Sequence, residues 1–120
     1  MINEKPHKKL DVWKKSIDLV ELIYEVTRSL PKEEEYGIKS QMRRAAVSVP
    51  SNIAEGLTRR TVQDKLHFLN IAQGSLSEID TQVELCLRLK YISETSYNDM
   101  ENCLIEIQKM LSGLNKSLRK

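Results

Sequence analysis

The sequence predicts an all-α fold, an antiparallel up-down-up-down four-helix bundle with a proline kink in its second helix. Three observations predict it. Apolar residues recur at three- and four-residue spacing through four stretches, which marks helices with one buried face. Proline and short polar clusters separate those stretches. The composition, with 4 glycines, 3 prolines and 1 phenylalanine in 120 residues, favours helix. A chain of this length fits one domain able to bury a core without disulfides or metals.

Residues 1–9 read as a flexible basic arm and 10–120 as a single bundle domain. The arm carries lysines with no apolar run behind them, so it is not a secretion signal. Asp11 is a candidate N-cap for helix one. Trp13, Ile17, Val20 and Tyr24 form one apolar stripe on that helix, and Leu19, Ile23, Val26 and Leu30 form its neighbour. The apolar face is therefore wide, as a bundle helix needs. Leu30-Pro31 ends the helix, because the residue before a proline is pushed out of helical geometry. Glu33, Glu34 and Glu35 then fall where the first turn of helix two is expected, with their carboxylates opposing its positive end.

Helix two runs to about Arg59 and carries the seam Met42, Ala45, Val49, Ile53 and Leu57. Pro50 lies in the middle of that seam. It has no N–H for the carbonyl of Ala46 and its ring crowds that carbonyl, so a bend or a restart is expected between Val47 and Asn52. Ser48, Ser51 and Asn52 surround it, with short side chains suited to freed backbone groups. Gly56 marks the expected stop.

Thr61 followed by Asp64 resembles a capping box and opens helix three. Its heptad is nearly strict, with Val62, Leu69, Leu76 and Val83 in one position and Ala72, Ile79 and Cys86 in the other. Ala72, Gly74 and Ser75 make a small-residue patch. A mid-helix glycine costs about 1 kcal/mol relative to alanine, so close approach of another backbone is expected at Gly74. After Tyr91-Ile92-Ser93, helix four carries Tyr97, Met100, Leu104, Ile107, Leu111, Leu114 and Leu118. Helices of roughly 18 to 27 residues make rods of about 27–40 Å, and short links set sequential neighbours antiparallel.

These segments carry a family resemblance over nearly the whole chain, from about Leu10 to Leu118. VW near the start, LPKEE followed by YGI, QMRRAAVSVPSNIAEG and FLNIAQGSLSEI occur in order. SVPSNIAEG is the most specific. The chain resembles the four-helix-bundle proteins encoded in intervening sequences of bacterial 23S rRNA genes. It is also similar to the accessory variability proteins of diversity-generating retroelements, basic bundles that work with nucleic acid. The resemblance implies a ring-shaped homopentamer and association with RNA.

Charge and motifs bound the function. The formal net charge is +2, too small to imply a polyanion partner by itself. Its distribution is uneven: Lys39, Arg43, Arg44, Arg59, Arg60 and Lys65 face only Glu55 and Asp64 between positions 39 and 65. From 66 to 108, Arg88 and Lys90 are outnumbered by Glu78, Asp80, Glu84, Glu94, Asp99, Glu101 and Glu106. That polarity suits a polyanion, or a basic face of one subunit meeting an acidic face of the next.

Arg44, Arg59, Arg60, Lys65 and His67 are the candidate phosphate contacts, since arginine forks match phosphate oxygens. Arg43 is expected to be structural, paired with Glu55 or Glu78 within the bundle or across an interface. Pro50, Asn52, Glu55, Gly56, Gly74, Ser75 and Glu78 complete the structural set. Asn52 and Glu55 have no histidine near in sequence to form a catalytic pair. His7 and His67 lack partners at ligand spacing, so no metal or cofactor is indicated. Cys86 and Cys103 fall on or beside heptad seams, where a reduced cysteine acts as a small apolar residue.

No apolar run approaches a membrane span, and the chain reads as cytoplasmic. Two readings follow. One is a non-enzymatic homo-oligomer that binds structured RNA through its phosphate backbone. The alternative is a homo-oligomeric scaffold for a protein partner.

Overall fold

Four helices carry the fold: α1 (Asp11–Thr27), α2 (Ile38–Leu57), α3 (Val62–Arg88) and α4 (Glu94–Leu118). The computed structural model describes residues 10–120; the basic arm expected at 1–9 lies outside the described residues. α1 packs on α2 and α4, and α3 packs on α2 and α4, with α2 against α3 the most extensive seam.

Contacts along α2–α3 and along α3–α4 run in opposite order. On α2 and α3, Met42 meets Cys86, Ser48 meets Ser75, and Gly56 meets Lys65 and Phe68. On α3 and α4, Asn70 meets Asn115 and Glu84 meets Tyr97. Arg43 of α2 reaches Tyr24 of α1, and Lys15 of α1 pairs with Glu106 of α4. These are antiparallel neighbours.

The core is built from Leu19 and Ile23, from Met42, Val49 and Ile53, from Leu69, Leu76, Ile79 and Val83, and from Met100, Leu104, Ile107 and Leu111. Each such side chain contributes about 1.5–3 kcal/mol on burial. On α1 the Leu19–Ile23 stripe is the buried one. Trp13, Ile17 and Val20 are half-buried and Tyr24 is 38% exposed, so the first stripe faces the rim of the bundle. Val12, Ser16 and Thr27 complete the buried face instead. Val62 also departs from its heptad, 46% exposed in the first turn of α3 where no helix covers it.

Helix ends follow local chemistry. Leu10, not Asp11, is the extended residue before α1; Asp11 lies in the first turn, where its charge opposes the helix dipole. The three glutamates do not open α2. Lys32–Glu34 form a short 3-10 turn after Pro31, and α2 starts only at Ile38. One of them still serves it: the Ile38 N–H donates to Glu34 Oε1 at 3.3 Å. Thr61 caps α3 as expected, its hydroxyl accepting the Asp64 N–H at 3.1 Å. Ser93 caps α4 by accepting from the Ser96 N–H at 3.1 Å.

Pro50 does not interrupt α2, which is helical from Ile38 to Leu57, so of the expected bend or restart the restart does not occur. Nearby, Asn52 Nδ2 donates to the Ser48 carbonyl at 2.8 Å and to Ser48 Oγ at 2.9 Å. Ser75 Oγ donates to the same Ser48 hydroxyl at 2.9 Å, which joins α2 to α3 beside the proline.

The close approach expected at Gly74 is found at Gly56 instead. A Cβ at Gly74 would meet nothing within 4 Å, so no backbone crowds it within this chain. A Cβ at Gly56 would lie 3.1 Å from the Lys65 carbonyl and 3.2 Å from Phe68 Cβ. Gly56 is therefore the close approach of α2 to α3. It lies inside the helix and has no positive φ, so a left-handed glycine stop is not its function.

Candidate nucleic-acid interface

The candidate residues divide between two places on α2 and α3. Arg44 lies fifteen positions before Arg59, about 22 Å along a helix axis at 1.5 Å per residue. Arg44 is exposed beside a groove of about 480 Å³ lined by Tyr24, Glu35, Tyr36, Lys39, Ser40, Arg43 and Val47. Arg59, Arg60, Lys65 and His67 gather at the corner between α2 and α3.

Within the chain Arg43 has structural partners, and they are neither Glu55 nor Glu78. Its Nε donates to Thr27 Oγ1 at 2.9 Å and its Nη2 to the Tyr24 carbonyl at 3.1 Å. Its guanidinium lies over the Tyr24 ring, 4.4 Å from the centroid. The last turn of α1 presents a hydroxyl, carbonyls near its negative end and an aromatic face, which together suit a planar cation. Glu55 instead takes Arg59 Nη2 at 2.7 Å, and Glu78 Oε2 accepts from Gln82 Nε2 at 3.1 Å.

At the corner the four candidates differ. Arg59 stacks over Phe68 at 4.7 Å in addition to its bond to Glu55. That ion pair is exposed and four residues apart on one helix, a geometry worth about 0.3–0.5 kcal/mol, so a phosphate can compete for the arginine. Lys65 Nζ reaches the Leu57 carbonyl at 3.5 Å. His67 is exposed, its ring meeting Phe68 edge to face with centroids 5.1 Å apart. Arg60 is exposed and has no hydrogen-bond or ion-pair partner among the described residues.

The bundle also brings the last turn of α4 to this end. Asn115 Nδ2 donates to Asn70 Oδ1 at 3.4 Å, and Arg119 Nε donates to Asn115 Oδ1 at 2.7 Å. The antiparallel register then sets Arg119 level with Leu66 and His67, with Lys116 and Lys120 exposed beside it. Charge patterning along the sequence missed these residues, which lie some fifty positions from the corner. Helical register was the signal that could have found them.

At the opposite end the polar residues hold one another. Tyr91 Oη donates to Glu34 Oε2 at 3.0 Å, and Tyr97 Oη to Glu84 Oε1 at 3.0 Å. The Glu84 carboxyl is held below its ordinary value by hydrogen bonds from Arg88 and Tyr97. Glu101 is pushed up to about 7, by its own desolvation first and then by the hydrogen bond and charge of Asp80. Asp80, Glu84, Arg88 and Glu101 border a groove of about 370 Å³ between α3 and α4, with Thr81 and Leu85.

Among the described residues no three His, Cys, Asp or Glu side chains are placed to hold a metal ion. No helix among them is long and apolar enough to cross a membrane. Burial pushes both thiols up, Cys86 to about 11.

Comparison with known proteins places this architecture. No curated protein matches the chain. The crystal structure of a protein of unknown function from the S23 ribosomal protein family of Bacteroides thetaiotaomicron is similar, with a TM-score of 0.81 and 28% identity. The match covers 88% of this chain and 98% of that one. Residues 8–113 match the 23S rRNA-intervening sequence protein family. The four helices, the SVPSNIAEG segment within α2 and the match over most of the length agree, and the chain belongs to that family.

Proposed function

We propose that this protein is a non-enzymatic homo-oligomer that binds structured RNA, ribosomal RNA in particular, through the phosphate backbone at the α2–α3 corner. The observation that carries the reading is Arg60, exposed and without an intrachain partner, beside Arg59, Lys65 and His67. Cations at a helix end can reach an extended backbone without base readout. Arg44 lies on a different surface and is not part of this corner.

Assembly has separate support. Tyr24, Tyr36 and Val47 are exposed on the α1–α2 face; Tyr36 is 96% exposed, and Arg44 lies beside them. Next to them Trp13, Ile17, Val20, Pro50 and Ala54 line a groove of about 320 Å³. Leu85 is exposed on α3, beside a groove lined by Asp80, Glu84 and Glu101. A basic, apolar face and an acidic, apolar face suit head-to-tail contact between copies. The family resemblance implies a pentamer, and the proposed assembly is that ring.

Fluorescence anisotropy on a folded ribosomal-RNA fragment, repeated across salt concentrations, tests the reading. Neutralising about three phosphates per subunit gives a log–log slope of about −2 to −3. Native mass spectrometry at micromolar protein reports the assembly, and a purely monomeric spectrum contradicts it. Absence of binding at low salt favours the scaffold reading, which the apolar α1–α2 face also suits.

A further inference from the structure

The geometry points to the last turn of α4 as the second half of that phosphate-binding surface, and to double-helical rather than single-stranded RNA as its ligand. The inference rests on the reading of the α2–α3 corner as an RNA contact.

The first support is a line of hydrogen bonds that fixes the α4 terminus against α3. Asn70 accepts from Asn115 at 3.4 Å, and Asn115 accepts from Arg119 Nε at 2.7 Å. Only one of the five N–H donors of Arg119 is used, and no other partner engages the rest among the described residues. An arginine held through Nε, with its fork open to solvent, is already oriented for a bidentate phosphate contact. Lys116, one turn earlier, and Lys120 are exposed without a partner. Neighbouring helices pack about 8–10 Å apart, so the corner and the α4 terminus present cations across several phosphate steps of a strand. The acidic residues near them are Glu55, which Arg59 engages, and the exposed Asp64 and Asp11.

The second support concerns the form of the RNA. Proteins that hold single strands stack bases on open aromatic faces. The aromatic rings at this corner are Phe68 and His67; Arg59 lies over Phe68 at 4.7 Å, and the two rings meet edge to face with centroids 5.1 Å apart. Trp13 borders the α1–α2 groove instead. A surface of clustered cations whose phenyl ring is already covered gains most from the high charge density and regular phosphate rows of a duplex.

Anisotropy with an RNA duplex of about 20 base pairs, and with one of its strands kept unpaired, tests both parts. The parent is expected to prefer the duplex by roughly tenfold or more. Lys116→Glu with Arg119→Glu is expected to weaken duplex binding by roughly tenfold and to reduce the salt slope by about 2. Lys116→Gln with Lys120→Gln, which keeps the Asn115–Arg119 bond, gives a smaller loss in the same direction and guards against fraying of α4. Circular dichroism and gel filtration check that each variant stays folded and assembled. Unchanged affinity and slope in both α4 variants, with Arg59→Glu/Arg60→Glu still impaired, removes α4 from the surface and leaves the corner intact. Equal affinity for duplex and single strand overturns the ligand assignment. A parent that binds neither overturns this inference and the reading it rests on.

Discussion

The two ends of the bundle use similar side chains in opposite ways. At the end holding the α1–α2 and α3–α4 connections, several charged groups are engaged within the chain, while Arg28, Lys32 and Lys90 are exposed there without a side-chain partner among the described residues. Glu34 accepts from Ile38 and Tyr91, Glu35 pairs with Lys39, and Glu84 receives Arg88 and Tyr97. Nearby, Arg43 clamps α2 to α1. At the other end Arg60, Lys116 and Lys120 have no partner in the described structure, and Arg119 keeps most of its donors open. The difference separates charge that holds loops from the clustered cations proposed to meet a ligand, a distinction net charge cannot make.

Substitutions that probe the comparison rank by expected effect. Gly56→Leu is expected to cost the most, about 3 kcal/mol of unfolding free energy in a denaturant titration, because the side chain must displace the Lys65 backbone. It would show that the ligand-facing end still depends on one tight backbone contact. Arg43→Ala comes next, at about 2 kcal/mol, since it removes two hydrogen bonds and leaves Thr27 and the Tyr24 ring uncovered. Arg60→Ala should leave the denaturation midpoint unchanged. Equal losses for Arg43→Ala and Arg60→Ala would erase the contrast between clamp and free cation.

Gly74→Ala is expected to raise stability by about 0.5–1 kcal/mol, because the methyl group enters open space and glycine is a poor helix former. A loss in the assembled protein would mean that another subunit approaches there.

The smallest effect is a pH dependence. Glu101 binds its proton more tightly in the folded chain, at about 7 against an ordinary 4.5, beside Asp80 and Glu84 of α3 and Tyr97 of α4. The unfolded chain releases that proton first as pH rises, so this contribution is full below 4.5 and is lost as pH climbs to about 7. Glu101→Gln should therefore gain melting temperature relative to the parent at pH 8 but not at pH 4. An equal offset at both values would contradict the account.

Much of the fold was legible because helical periodicity is local. The heptads of α3 and α4 named most of their buried residues, and Thr61 with Asp64 marked a start that the structure keeps. Partners brought together by antiparallel register were not legible. Arg43 finds Thr27 sixteen positions away, and Asn115 finds Asn70 forty-five away. The glycines show the same limit: helix propensity flags Gly56 and Gly74 alike, and only packing tells which one another backbone crowds. Pro50 shows a different one, since a missing hydrogen bond and a crowded carbonyl did not prevent the helix from running through.

The most direct measurement reverses equal charge at the two ends. Arg59→Glu with Arg60→Glu alters the open end, and Arg28→Glu with Lys32→Glu makes the same change in net charge at the other. Both double variants are titrated against a folded ribosomal-RNA fragment at several salt concentrations, after gel filtration confirms assembly. The account predicts at least a roughly tenfold loss of affinity and a flatter salt slope for the first, with the second close to the parent. Equal losses in the two would mean that binding follows overall charge and not this surface, and would contradict it.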